Sequence, residues 1–146
     1  MVGAVLMLVG TPTAARAFTF ITLDFPGATA TKASGINPRV IIVGDYTDAS
    51  AVVHGFVEYR GTFMTIDFPG ATATEASGIN PEGQIVGDYT DASGVVHGFV
   101  LNRGTFTTID VPGATDTVVD GINPEGQIVG NFTDAMGILH GFAAGP

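Results

Sequence analysis

The sequence predicts an all-β chain of tandem four-stranded meanders, and three observations carry that expectation. First, the chain repeats itself: Asp24, Asp67 and Asp110 are 43 residues apart, as are Asn37, Asn80 and Asn123, and His54, His97 and His140. A period in this range marks solenoids, propellers and related arrays. Second, the 21 glycines and 8 prolines recur at fixed places in the period, as turn punctuation does and a flexible linker does not. Third, no stretch keeps a 3.6-residue apolar period, and Gly or Pro interrupts every window long enough for a helix. The copies span 18–60, 61–103 and 104–146 without insertion.

The second copy shows the elements in order. Thr62 to Asp67 is rich in β-branched and aromatic residues and stops at Pro69-Gly70, which reads as a strand and a turn. Thr72 to Ile79 is a second short strand. Asn80-Pro81-Glu82-Gly83 then supplies a Pro to fix φ and a Gly free to take positive φ, a tight turn into Gln84 to Thr90. Asp91-Ala92-Ser93-Gly94 closes a hairpin into Val95 to Leu101, and Arg103-Gly104 turns into the next copy.

Two architectures use four strands in a repeat of this length. Propeller-like blades fit the unit, although a ring typically needs four to eight of them, which a dimer sharing a six-bladed ring would supply. A threefold β-trefoil-like barrel fits the copy number. The chain ends are complementary, so segments within 20–36 could complete a blade with segments within 127–143, in one ring or across two chains.

Ahead of the repeats, Val2 to Gly10 is an apolar run too short to span a bilayer, and small residues follow it up to Ala15-Arg16-Ala17. That is the pattern of a secretion signal over 1–17, atypical in having only Met1 before the apolar run. Cleavage there leaves a single repeat domain, 18–146, with no stable membrane span and a secreted or cell-surface destination.

Composition narrows the partners. A net charge of −9 repels nucleic acid and anionic membranes at long range, so no nucleic-acid partner is expected. With no cysteine, neither a disulfide framework nor a thiolate metal site can form. Charged residues are 13% of the chain and apolar ones 45%, the balance of a chain that folds.

The elements Asp-x-Pro-Gly-Ala, Gly-Ile-Asn, Ile-Val-Gly and His-Gly-Phe occur in that order through 18–146, the last as His54-Gly55-Phe56, His97-Gly98-Phe99 and His140-Gly141-Phe142. This consensus resembles the bacterial extracellular HAF repeats. The resemblance implies export and a β-repeat fold, and it brings no established reaction and no catalytic residue. Copy one departs at Arg39-Val40-Ile41, where the other copies have Glu-Gly-Gln, and copy three ends in Ala143-Ala144-Gly145-Pro146.

Three sets of residues are candidates for chemistry. Asp88 and Asp91, with Asp45 and Asp48 and with Asn131 and Asp134 in the other copies, stand three apart before a turn and could offer oxygen ligands to calcium. They lack the alternating spacing of an EF-hand loop. The plainer reading makes Asp91 an Asx-turn residue and Asp88 a solvated strand residue. His54, His97 and His140 would converge on an axis if the chain closed threefold, an arrangement that suits zinc. Alternation instead sets His54 beside Val52 and Phe56, where a packed, hydrogen-bonded histidine is expected. Asp67 and Asp110, or Asp88 and Asp91, could pair as acid and base in a glycosidase-like site, which requires one raised pKa. Asp24, Asp67 and Asp110 each sit two residues before a Pro-Gly, so a role in turn stabilisation is simpler.

The expected function is therefore an exported scaffold that binds an extracellular carbohydrate, a surface polymer or a copy of itself. A secreted hydrolase of glycosidic or ester bonds, with Asp67, Asp88, Asp110, His54, His97 and His140 as candidate acids and bases in a central groove, and a calcium-stabilised adhesion module are the rivals.

Overall fold

A computed structural model describes residues 16–146. The secretion signal expected over 1–17 lies outside the described residues except for Arg16 and Ala17. Eleven strands follow the repeat: β1 (Ala30–Ile36), β2 (Ile42–Thr47), β3 (Val53–Tyr59), β4 (Thr62–Ile66), β5 (Ala73–Ile79), β6 (Ile85–Thr90), β7 (Val96–Asn102), β8 (Thr105–Ile109), β9 (Asp116–Ile122), β10 (Ile128–Thr133) and β11 (Leu139–Ala144). They form three antiparallel meanders, β1-β2-β3-β4, β5-β6-β7-β8 and β9-β10-β11. No helix forms among the described residues, so none there is long and apolar enough to cross a membrane.

The sheets do not coincide with the sequence copies. Arg60 and Gly61 both have positive φ, as do Arg103 and Gly104, which is the signature of a two-residue type I′ hairpin turn. Such a turn binds the strand after it to the strand before it, so β4, from the second copy, closes the first sheet, and β8, from the third copy, closes the second. The trefoil-like alternative fails for this reason. Each tight turn returns the chain to its own sheet, and no barrel closes among the described residues. Within one chain the expected pairing of segments within 20–36 with segments within 127–143 does not form: residues 30–36 are the first strand of their own sheet, and residues 18–23 have no strand partner.

The sheets stack in chain order, with β5 lying against β1, β2 and β3, and β9 against β5, β6 and β7. Val43, Ala76, Ile85, Tyr89, Phe99 and Leu101 make one core cluster, and Val86, Val119 and Ile128 another. Burying each large side chain such as Phe56 or Phe99 stabilises the fold by about 1.5–3 kcal/mol. Position in the stack decides burial: Val43 and Val86 are 0% exposed under the next sheet, whereas the equivalent Val129 is 53% exposed.

Two sequence elements acquire a cause here. The Gly of Ile-Val-Gly faces a β-bulge, where a Cβ on Gly87 would stand 1.9 Å from the Glu75 carbonyl oxygen. The Asn of Gly-Ile-Asn ties the stack together. The Nδ2 of Asn37 donates to the carbonyl of Asn80 at 3.2 Å, and that of Asn80 to the carbonyl of Asn123 at 3.2 Å. The Oδ1 of Asn80 meanwhile accepts the Gln84 amide at 2.9 Å, bracing its own turn.

Candidate functional site

The candidate residues separate into two places, a set of histidine braces and a stripe of ionisable groups along β1, β5 and β9. The braces begin with the Asp after β2 and after β6. Asp91 Oδ1 accepts the Ser93 amide at 2.8 Å and the Val95 amide at 3.0 Å, and Asp48 does the same with Ser50 and Val52. Asp134 accepts from Met136 and Ile138. These are Asx turns that close each hairpin.

The second oxygen of each carboxylate meets a histidine. His54 Nε2 lies 3.4 Å from Asp48, His97 Nε2 3.3 Å from Asp91, and His140 Nε2 3.1 Å from Asp134. The other ring nitrogen reaches the strand across the hairpin: His54 Nδ1 is 3.0 Å from Asp67, and His97 Nδ1 is 2.9 Å from Asp110. Asp67 and Asp110 therefore hold the histidine of the preceding sheet and do not serve the Pro-Gly turns beside them. The imidazoles stack on Tyr46, Tyr89 and Phe132 at centroid separations of 5.0–5.1 Å. Tyr46 and Tyr89 are in turn stacked on Phe25 and Phe68 at 3.6 Å.

A neutral imidazole has one N–H, and only the imidazolium can donate to a carboxylate from both nitrogens. Partial burial opposes the charge on His54 and His97. The hydrogen bonds and negative charge of Asp67 with Asp48, and of Asp110 with Asp91, outweigh it, so both pKa values lie above the ordinary histidine value. Backbone amides hold Asp48 and Asp134 below the usual carboxylate range, and the Ser93 hydroxyl with the Val95 amide does so for Asp91.

Each histidine is held within its own sheet, so the three do not converge. Among the described residues no group of three or more His, Cys, Asp or Glu is arranged to hold a metal ion. The pairs proposed as oxygen donors are also put to different uses. Asp48, Asp91 and Asp134 close turns, while Asp45, Asp88 and Asn131 join the stripe.

That stripe is the second place, and sequence reading missed most of it. Lys32 Nζ lies 3.4 Å from Asp45 and reaches the next sheet at Glu75, 3.8 Å away. Glu75 faces Asp88 across β5 and β6, and Asp120 accepts the Asn131 amide at 2.7 Å. Asp45 Oδ1 is buried without a hydrogen-bond partner, with Lys32 as its counter-ion. Asp88 is half-buried and not a solvated strand residue. Burial, then the charges of Glu75 and Asp120, push its pKa up to about 7, against the pull of Lys32. Asp45 pulls the Lys32 pKa above its ordinary value despite some desolvation.

Compared with known proteins, the chain matches no family model and no curated protein.

Proposed function

We propose that the chain is an exported β-repeat scaffold whose sheets are propeller-like blades, and that it acts by binding an extracellular carbohydrate or surface polymer. The observation that carries this reading is the use of the histidines. In two sheets the imidazole spans two carboxylates, one from its own hairpin turn and one from the strand across the next turn, and it stacks on an aromatic ring. A catalytic base needs a free lone pair and a path to substrate, and these rings spend both nitrogens on bracing. The resemblance to HAF repeats and the leader expected over 1–17 support export.

One observation favours a second reading. Asp88, with a pKa of about 7 and Glu75 opposite, meets the need of a glycosidase-like or esterase-like site for a carboxyl that still carries a proton at neutral pH.

A paired assay separates the two. The chain is co-sedimented with insoluble polysaccharides and isolated envelope polymers, and in parallel incubated with aryl glycosides and aryl esters. Saturable retention that survives Asp88→Asn, without turnover, is the scaffold result. Turnover that Asp88→Asn abolishes would establish the hydrolase instead, and neither retention nor turnover would count against the scaffold.

A further inference from the structure

The segment Phe18–Asp24 (FTFITLD) is the first copy's counterpart of Gly61–Asp67 and Gly104–Asp110, the stretches that contain β4 and β8. Those two strands close their sheets. Phe63 and Phe106 then rest edge-on against Phe56 and Phe99, at 5.4 and 5.2 Å. Their counterpart Phe20 is 93% exposed and Ile21 83% exposed, and residues 18–23 pair with no strand.

The third sheet lacks this same strand. β11 carries the His-Gly-Phe element of β3 and β7 but pairs only with β10, leaving its other edge open and Leu139 exposed. His140 has Asp134 at Nε2, while among the described residues no carboxylate meets its Nδ1 as Asp67 and Asp110 meet those of His54 and His97. The equivalent residue is Asp24, which is exposed.

The two broad faces at the ends of the stack match in the same way. The third sheet exposes Val129, where Val43 and Val86 are covered by the following sheet. The first sheet exposes Ala33 on β1, where Ala76 and Val119 are buried against the preceding sheet. The asparagine ladder also stops at Asn123, one step short of another Asn carbonyl.

We infer that a second copy of this chain docks head to tail here, with its residues 18–23 as the missing strand on β11 and its first sheet covering Val129. This inference rests on the scaffold reading and names one partner of that scaffold. The register follows from β3 and β4: Gly141 opposite Leu23, Phe142 opposite Thr22, Ala143 opposite Ile21 and Ala144 opposite Phe20. Asp24 then meets His140 Nδ1. The chain does not supply this strand to itself: β11 lies in the third sheet of the stack, with the second sheet between it and the first. Residues 18–23 lead into Phe25, which is stacked on Tyr46 of the first sheet, and each fourth strand belongs to the sheet before the one it leads into. The partner's third sheet must therefore precede the first sheet, and two copies doing this reciprocally close a six-sheet ring with both edges paired.

The test uses the full chain and light scattering. The native chain should have twice its own mass, and Phe20→Asp should halve that mass without loss of β-structure, because Phe20 packs against nothing in the single chain. A second measurement exploits the absence of cysteine. Oxidation of a mixture of Ile21→Cys and Ala143→Cys chains should give a cross-linked heterodimer, and the register-shifted mixture of Thr19→Cys with Ala143→Cys should not. A native monomer, a dimer indifferent to Phe20→Asp, cross-linking in both mixtures, or a mass that keeps growing with concentration would each overturn the closed dimer. A monomer that still sediments with polymer would overturn the pairing and leave the scaffold reading intact.

Discussion

Asp88→Asn should make the protein more stable, and by an amount that depends on pH. Asp88 has an ordinary pKa of 3.8 when unfolded and one of about 7 in the folded chain. Between those values the native state holds a proton that the unfolded state has released. Stability owed to this group therefore falls as pH rises from about 4 to about 7 and stays low above that. At 1.36 kcal/mol per pKa unit, the ceiling on the penalty is about 4 kcal/mol. Part of it is shared with Glu75, Asp120 and Asp45, whose charges remain, so a gain of about 1–4 kcal/mol is expected at pH 8. Asn keeps the shape and removes the charge, as Asn131 already does at the equivalent place in the third sheet. Urea unfolding of both proteins from pH 4 to pH 8 measures the effect. The two curves should meet near pH 4 and diverge towards pH 8. A gain that is constant across pH, or a loss at pH 8, would refute the view that ionised Asp88 strains the stripe.

Further outcomes follow from other residues. Val40 occupies the place of Gly83 and Gly126 but holds φ at 58°, a conformation costly for a β-branched residue, and it is exposed. Val40→Gly relieves about 1–2 kcal/mol of that cost and gives back part of it as unfolded-chain entropy, so a net gain of about 0.5–1 kcal/mol should appear in thermal or urea unfolding. The folded pKa of His97 is raised, so its brace contributes fully below the unfolded value near 6.5 and less as pH climbs through the folded value. His97→Gln should therefore be most destabilising at pH 5–6 and less so at pH 9, as read from melting temperatures. Asn80→Ala leaves the Gln84 amide without its partner and removes the tie to the Asn123 carbonyl, which keeps only the Gly126 amide, and should cost about 1–3 kcal/mol in urea unfolding. Chelator should leave the melting temperature unchanged, because the turn amides and histidines already engage both oxygens of Asp48, Asp91 and Asp134. A fall on adding EDTA, reversed by calcium, would restore the adhesion-module reading.

The repeat, the strands and most turns were legible in the sequence, because Gly, Pro and β-branched residues mark them directly. The grouping of strands into sheets was not, since a cyclic repeat has no intrinsic starting point and the copy boundary fell within the Arg60-Gly61 hairpin. That hairpin nevertheless held the key to one brace. A two-residue loop at 60–61 sets Tyr59 opposite Thr62 and, counting outwards, His54 opposite Asp67. The same count fails for the stripe. Pairing outwards from the Asn80 turn would put Asp88 opposite Ala76, but the bulge between Ala76 and Gly78 shifts the register by one and brings Glu75 to Asp88. Lys32, Glu75 and Asp120 also lack a repeated residue type, with Glu75 and Val118 standing where the first copy has Lys32, so self-comparison passed over them.

The central claim is that the histidines are charged braces between carboxylates. A long-range proton–nitrogen NMR titration of the imidazoles tests it most directly. The account predicts that His54 and His97 titrate above the ordinary histidine value and that, below it, both ring nitrogens carry protons shielded from rapid exchange. Ordinary or lowered titration, with one bare ring nitrogen at pH 6, would contradict it and return these rings to the list of candidate bases.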